Sequence, residues 1–321
     1  MLIHKTKQFF LVLIKFSIVV SAFYFIYQKL VNNNDLEFSI FIGFLMKKGV
    51  FLSKTVVFLV FLSIFNWFFE VLKWKTLVDF IRKISFKNAL EQSLGSLTAS
   101  LFTPNRIGEY GAKAIYYTSN YQKQIVLINL LSNILQMTVT VILGIVGITF
   151  FVLENNIDIN YSKLSLLTIT LITITILIVF GVTKSNFKIK GFSLNKIKLY
   201  VKAYPRKKIL LGFIFSAIRY LIFSFQFYYL LQVFGANINY LNAMKAITSM
   251  YILASIIPSI FIFDVVIKGS IAVYLFAFLN INELVILSII TIMWLLNFVI
   301  PSIFGSYFVL NFKLPKQEVL L

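Results

Sequence analysis

The stretch Thr103–Lys113, TPNRIGEYGAK, packs a proline, two glycines, an arginine, a glutamate and a lysine into eleven residues. In water this would be an ordinary polar turn leading into a helix. Here it sits in a chain of 321 residues that is 60% hydrophobic, with a mean hydropathy of +0.90. Charge at membrane depth is costly, and a broken helix persists there only when buried in protein or lining a wet cavity. The stretch therefore reads as a break inside the membrane region, and the rest of the chain is read around it.

The composition gives an all-α integral membrane protein, with several apolar runs long enough to span. With no cysteine there is no disulfide, thiol nucleophile or thiolate metal site. The one histidine, His4, lies in the basic N-terminal tail, so no His-based metal or acid–base site is expected. The net charge of +19 is assigned to the positive-inside bias and to anionic lipid headgroups, and not to nucleic acid. The first apolar run is too long for a cleavable signal and lacks a small-residue cleavage site.

Lysine and arginine placement sets a topology with both termini cytoplasmic. Residues 9–31 span outward, with Asp35 and Glu37 then outside, and 51–72 return. Lys73, Lys75, Arg82, Lys83 and Lys87 mark 73–87 as cytoplasmic. Trp67 and Trp74 read as interface anchors at that end. Residues 125–152 span outward, 163–182 inward, 209–233 outward and 284–305 inward. The loop 183–208 carries nine Lys or Arg. This gives six full spans in a single membrane domain of the cytoplasmic (inner) membrane.

Two segments do not fit whole spans. In 89–103, Leu90, Leu94, Leu97 and Leu101 share one helical face, and Ser93, Ser96 and Ser100 share another. Pro104 ends this half-helix, and a second helix is expected from Gly108 to about Tyr117. The pair forms either a re-entrant hairpin or a helix pair lying on the membrane surface. The second segment repeats the pattern. Asn242-Ala-Met resembles Asn88-Ala-Leu, and Pro258 follows Ala243 at the interval that separates Pro104 from Ala89. Past each proline comes an acid with a lysine four residues on: Glu109 and Lys113, then Asp264 and Lys268. One unit starts from the cytoplasm and the other from outside. The expectation is an inverted repeat, 51–152 and 209–305, in which two re-entrant broken-helix hairpins meet at the midplane.

The element Pro104-Asn-Arg106-Ile-Gly108-Glu109 resembles the P-G-R-x-G-E element of the lysylphosphatidylglycerol synthase transmembrane region, a family that includes flippase-like membrane proteins. Lys113 stands where that family usually has arginine, and Lys268-Gly269-Ser270 replaces its G-x-R-E. The resemblance implies lipid translocation. The chain ends at Leu321 without the acyltransferase domain of full-length synthases, so aminoacyl transfer is not expected.

Substrate-binding roles fall to Arg106, Glu109, Lys113, Arg219, Asp264 and Lys268. A guanidinium can hold a headgroup phosphate through two parallel hydrogen bonds. Glu109 and Lys113 form an i,i+4 pair, and Asp264 also suits a helix N-cap. Arg219 lies near mid-span and needs a partner; Glu109 or Asp264 is preferred to Glu70, which is placed near its span's cytoplasmic end. Pro104, Gly108, Gly111 and Pro258 are hinge or packing positions. No catalytic residue, metal or cofactor is assigned. The favoured reading is a translocator for an anionic phospholipid or polyprenyl-phosphate lipid. The alternatives are a non-catalytic partner that delivers lipid to a membrane enzyme, and a lipid-linked-sugar glycosyltransferase using Asp35 and Glu37.

Overall fold

The computed structural model describes residues 43, 52–101, 103, 107–155, 203–256 and 261–315, with only the backbone of 261–266. The expected spans 9–31 and 163–182, most of the basic loop, Asp35, Glu37, Pro104, Arg106 and Pro258 lie outside the described residues. So does the side chain of Asp264.

Every element among the described residues is helical. In chain order they are α1 (Ser53–Val78), α2 (Phe86–Ser100), α3 (Gly108–Ala114), α4 (Ser119–Glu154), α5 (Arg206–Val233), α6 (Tyr240–Ile256), α7 (Phe261–Ala277), α8 (Glu283–Trp294), a π-helical turn (Leu295–Val299) and α9 (Ile300–Asn311). Local chemistry sets several ends. Ser85 caps α2 by accepting from the Asn88 amide at 3.1 Å, and Asn239 starts α6 by accepting from the Asn242 amide at 2.8 Å. Gly235 (φ 77°) closes α5 and Asn280 (φ 54°) closes α7, both in the left-handed region that such stops require.

Four helices are long and apolar enough to cross a membrane: α1, α4, α5 and the continuous helix Glu283–Asn311. The chain is a multi-pass membrane protein. Their outer faces expose Ile64, Ile134, Ile142, Leu221 and Phe304, as a lipid-facing surface does. By contrast α2, at 15 residues, rises about 22 Å, short of the roughly 30 Å hydrocarbon core.

Helix α1 extends six residues beyond the expected end of its span, to Val78. That corrects the placement of Trp67 and Trp74. Neither is an interface anchor; both are buried, Trp74 completely. The Leu90–Leu101 face of α2 is buried or half-buried as its spacing predicts, but Ser93, Ser96 and Ser100 are buried too.

Packing follows a simple scheme. Helices α1 and α5 lie antiparallel: the Leu59 carbonyl accepts from Gln226, Asn66 meets Arg219, and Leu77 meets Gly212. Helix α2 packs on α9, and α6 packs on α4. Small residues allow both of the latter contacts. Gly305 abuts the Leu94 carbonyl and Thr98, while Gly144 and Gly147 abut Ile252 and Thr248. Thr98 then donates to the Ser302 carbonyl at 2.8 Å.

A Cβ on Gly305 would overlap the Leu94 carbonyl, which is backbone and cannot swing aside. Gly305→Val should therefore destabilise the protein by about 1–3 kcal/mol, the usual cost of overpacking. Among the described residues nothing lies within 4 Å of where a Cβ on Gly111 would stand, so no packing contact is seen there. Gly111→Ala is the matched control. Denaturation midpoints in detergent micelles should drop for the first variant and stay near wild type for the second.

Candidate functional site: a buried ionic cluster

On α1, Ser63, Asn66, Glu70 and Lys73 recur at spacings of three and four and form one buried polar stripe. The stripe faces α5. Arg219 stands thirteen residues after Arg206 and fourteen before Val233, at the middle of a helix about 42 Å long. Its Nη1 pairs with Glu70 Oε2, and Lys73 Nζ lies 2.8 Å from the same oxygen. Arg219 Nη1 also donates to Gln136 Oε1 at 3.2 Å, and Nε donates to Asn66 Oδ1 at 3.2 Å. Gln136 is itself central in α4.

Among the described side chains Arg219's partner is thus Glu70, which corrects the expectation of Glu109; the side chain of Asp264, the other acid expected there, is outside the described residues. The reason is the length of α1. With the helix running to Val78, Glu70 moves two turns inside its end and comes level with Arg219.

The expected Glu109–Lys113 pair forms, with Lys113 Nζ 2.6 Å from Glu109 Oε1. Both side chains are buried, Lys113 wholly so. Lys113 Nζ also donates to Asn129 Oδ1 at 2.9 Å and lies 4.1 Å from the Trp74 ring centroid, over its negative face. Trp74 is held in place by its N–H, which donates to Gln92 Oε1 at 2.8 Å. Tyr117, in the turn after α3, donates to the same oxygen at 2.9 Å. Burial pushes its phenol up to about 12, so it remains a donor at neutral pH. The pairs made by Glu70 and by Glu109 adjoin, because Lys113 lies over the ring of Trp74, the residue that follows Lys73 in α1.

The polar chain continues away from Arg219 to Asn297, the centre of the π-turn. Asn297 Oδ1 accepts from Asn66 at 3.1 Å, and its Nδ2 donates to Gln226 Oε1 at 2.9 Å. Widening a helix to a π-turn releases backbone carbonyls from their usual bonds, and such turns often mark functional positions. Here Ser63 Oγ donates to the Leu296 carbonyl at 2.6 Å and Trp67 Nε1 to the Asn297 carbonyl at 3.0 Å.

Among the described side chains the cluster holds three cations, Lys73, Lys113 and Arg219, against two carboxylates, Glu70 and Glu109. Among these side chains one positive charge is in surplus. Beside Lys113, Asn129 Nδ2 is a buried donor with no hydrogen-bond partner among the described residues. A net positive charge with a spare donor suits an anion. Among the described residues no three His, Cys, Asp or Glu converge as metal ligands would.

Lys268 does not join this cluster through any described contact. Its Nζ lies 5.9 Å from the Phe298 ring, at a cavity of about 20 Å³ lined also by Tyr251 and Trp294. Gly108 fits closely, since a Cβ there would press on Thr103, whose hydroxyl accepts from the Gly108 amide at 2.9 Å.

No protein-family model matches the chain, and no curated protein or solved structure does.

The residues that sequence reasoning missed are Asn66, Lys73, Gln136, Asn297 and the two tryptophans. The signal was present in the 3-4-3 spacing of Ser63, Asn66, Glu70 and Lys73 along a span. Counting Lys73 as the start of a basic loop concealed it.

Proposed function

We propose that this protein is a lipid translocator of the flippase-like type, related to the lysylphosphatidylglycerol synthase transmembrane region, and that the ionic cluster receives an anionic headgroup. The observation that carries the reading is the surplus positive charge at the centre of α5, held by residues from three long helices and α3. An anionic headgroup would compete with Glu70 and Glu109 for Arg219, Lys73 and Lys113 while its tails stay in lipid. A charge passed between alternative partners never stands bare, which is what low-dielectric transport requires.

The six-span inverted repeat belongs to the same proposal. It is supported by exchanged packing: α2 of the first unit rests on the last helix of the second, and α6 of the second rests on the last helix of the first. The leading spans α1 and α5 pair with each other. Both short helices begin with matching caps, Ser85 and Asn239.

Two experiments test this reading. With no native cysteine, single cysteines can report topology. Asn237→Cys should react with an impermeant thiol reagent from outside the cell and Lys83→Cys should not; the reverse pattern overturns the topology. In vesicles of phosphatidylcholine and phosphatidylglycerol, the protein should move a fluorescent phosphatidylglycerol between leaflets. Arg106→Ala and Glu109→Ala should each abolish that movement, while Asp35→Ala and Glu37→Ala leave it intact. Normal transport by both of the first pair would remove the site from the mechanism.

A further inference from the structure

The helix Glu283–Asn311 belongs to two packing units. Its first part, α8, packs on α7 and α5, and its last part, α9, packs on α2. The π-turn Leu295–Val299 lies at the junction. Beyond it α9 and α2 are tied closely: Gly305 abuts the Leu94 carbonyl, and Thr98 donates to the Ser302 carbonyl at 2.8 Å. An apolar groove of about 330 Å³ follows the same boundary, between Ile64 and Trp67 of α1, Leu90 and Leu94 of α2, and Pro301 and Phe304 of α9. Protein interiors are otherwise close-packed, so this boundary is where one unit has room to swing against the other.

Backbone chemistry makes the helix weak at this turn. The Ile300 amide donates to the Leu295 carbonyl, five residues back, and so passes over the Leu296 carbonyl. The next amide in line belongs to Pro301, which has no N–H. The same lack deprives the Asn297 carbonyl of its α-helical donor. Helix α1 supplies both bonds instead, Ser63 Oγ donating to the Leu296 carbonyl at 2.6 Å and Trp67 Nε1 to the Asn297 carbonyl at 3.0 Å. A π-turn with a proline behind it is a place where helices bend. The joint is therefore held by two side-chain bonds from a neighbouring helix. It is also linked to the ionic cluster through Asn66, which accepts from Arg219 Nε at 3.2 Å and donates to Asn297 Oδ1 at 3.1 Å. Arg219 thus fixes which way the Asn66 amide faces.

We infer that the π-turn is a hinge on which α9 and α2 move as one unit against α1, α5 and α8, latched by Ser63 and Trp67 and governed by Arg219 through Asn66. An anion that draws the guanidinium from Asn66 loosens the latch, and the unit swings about the turn, as hinge closures do. The inference rests on the translocation reading only for that anion; the hinge and its latch are properties of the chain alone.

The test is pulsed electron spin resonance on the full chain in phosphatidylcholine vesicles, which contain no anionic lipid and require no transport. With no native cysteine, nitroxides can be placed on introduced pairs, all at exposed positions. Tyr307→Cys with Leu221→Cys crosses the hinge. Lys87→Cys with Tyr307→Cys lies within the moving unit, and Glu283→Cys with Leu221→Cys lies within the other. Ser63→Ala, Trp67→Phe and the two together should shift or widen the first distance distribution and leave the other two as in the wild type. Arg219→Met should alter the first distribution in the same direction. The Glu283–Leu221 distance reports folding, and each single variant is read, so the result stands even where the double variant does not fold. An unchanged first distribution in the folded latch variants overturns the hinge. Equal changes in all three pairs also overturn it, since they mean a loosened bundle. An unchanged first distribution in Arg219→Met overturns the link to the cluster.

Discussion

Glu70→Ala should be the most damaging single substitution among the described residues, lowering stability by about 3–5 kcal/mol. Glu70 is the one carboxylate that both Lys73 and Arg219 share, through a single oxygen. Removing it leaves two cations side by side, Lys73 buried and Arg219 mostly so, with no second acid paired to either among the described residues. The Coulomb attraction is lost and repulsion takes its place, while the cost of keeping both charges out of water remains. Equilibrium unfolding in mixed micelles measures the loss. The explanation makes a further demand. Replacing all three ions together by apolar residues of similar volume, as in Glu70→Leu, Lys73→Leu and Arg219→Met, should recover most of the stability, because no stranded charge is left. If Glu70→Ala alone stays within about 1 kcal/mol of wild type, the typical scale of a single point mutation, then water reaches the cluster and the buried-charge account is wrong.

How far the sequence shows this site depends on which physical signal each residue leaves. Glu109 and Lys113 were legible because an i,i+4 acid–base pair beside a proline and glycines has no bland reason to sit in an apolar chain, and they do pair at 2.6 Å. The four long helices were legible from apolar length alone, to within a few residues, α4 beginning six before its expected start. Lys73 was not. Hydropathy treats every lysine as a mark of water, yet a lysine three residues after a glutamate carries its own counter-charge into the helix, and Lys73 is almost wholly buried. That one residue shifted the end of α1, which misplaced Glu70 and gave Arg219 the wrong partner. Trp67 and Trp74 were misread for a related reason: the interface preference of tryptophan arises from its polar N–H, and here buried acceptors, the Asn297 carbonyl and Gln92, meet it instead. Asn297 had no local signature, since its importance comes from the π-turn and from helices more than 70 residues distant in sequence.

Arg219→Met should leave the fold largely in place and stop lipid movement, the opposite balance to Glu70→Ala. Without Arg219, Glu70 keeps Lys73 at 2.8 Å, and Lys113 keeps Glu109. The described cluster then holds two cations and two carboxylates and is neutral. Methionine fills much of the arginine stem's volume, so the remaining structural cost is the loss of one of Glu70's two partners and of the bonds to Asn66 and Gln136, about 1.5–3 kcal/mol for a hydrogen bond to a charged group. What disappears is the surplus charge and the fork-shaped donor. An anion arriving at a neutral cluster must be desolvated with no net attraction to offset the cost, so its entry is suppressed. Movement of fluorescent phosphatidylglycerol in vesicles should fall at least about tenfold, since 1.4 kcal/mol of lost attraction already gives that factor. Arg219→Lys restores the charge without the two-pronged geometry and should recover part of the rate. Full transport by Arg219→Met in a folded protein would show that the cluster is scaffolding. The lipid path would then have to be sought elsewhere on the molecule.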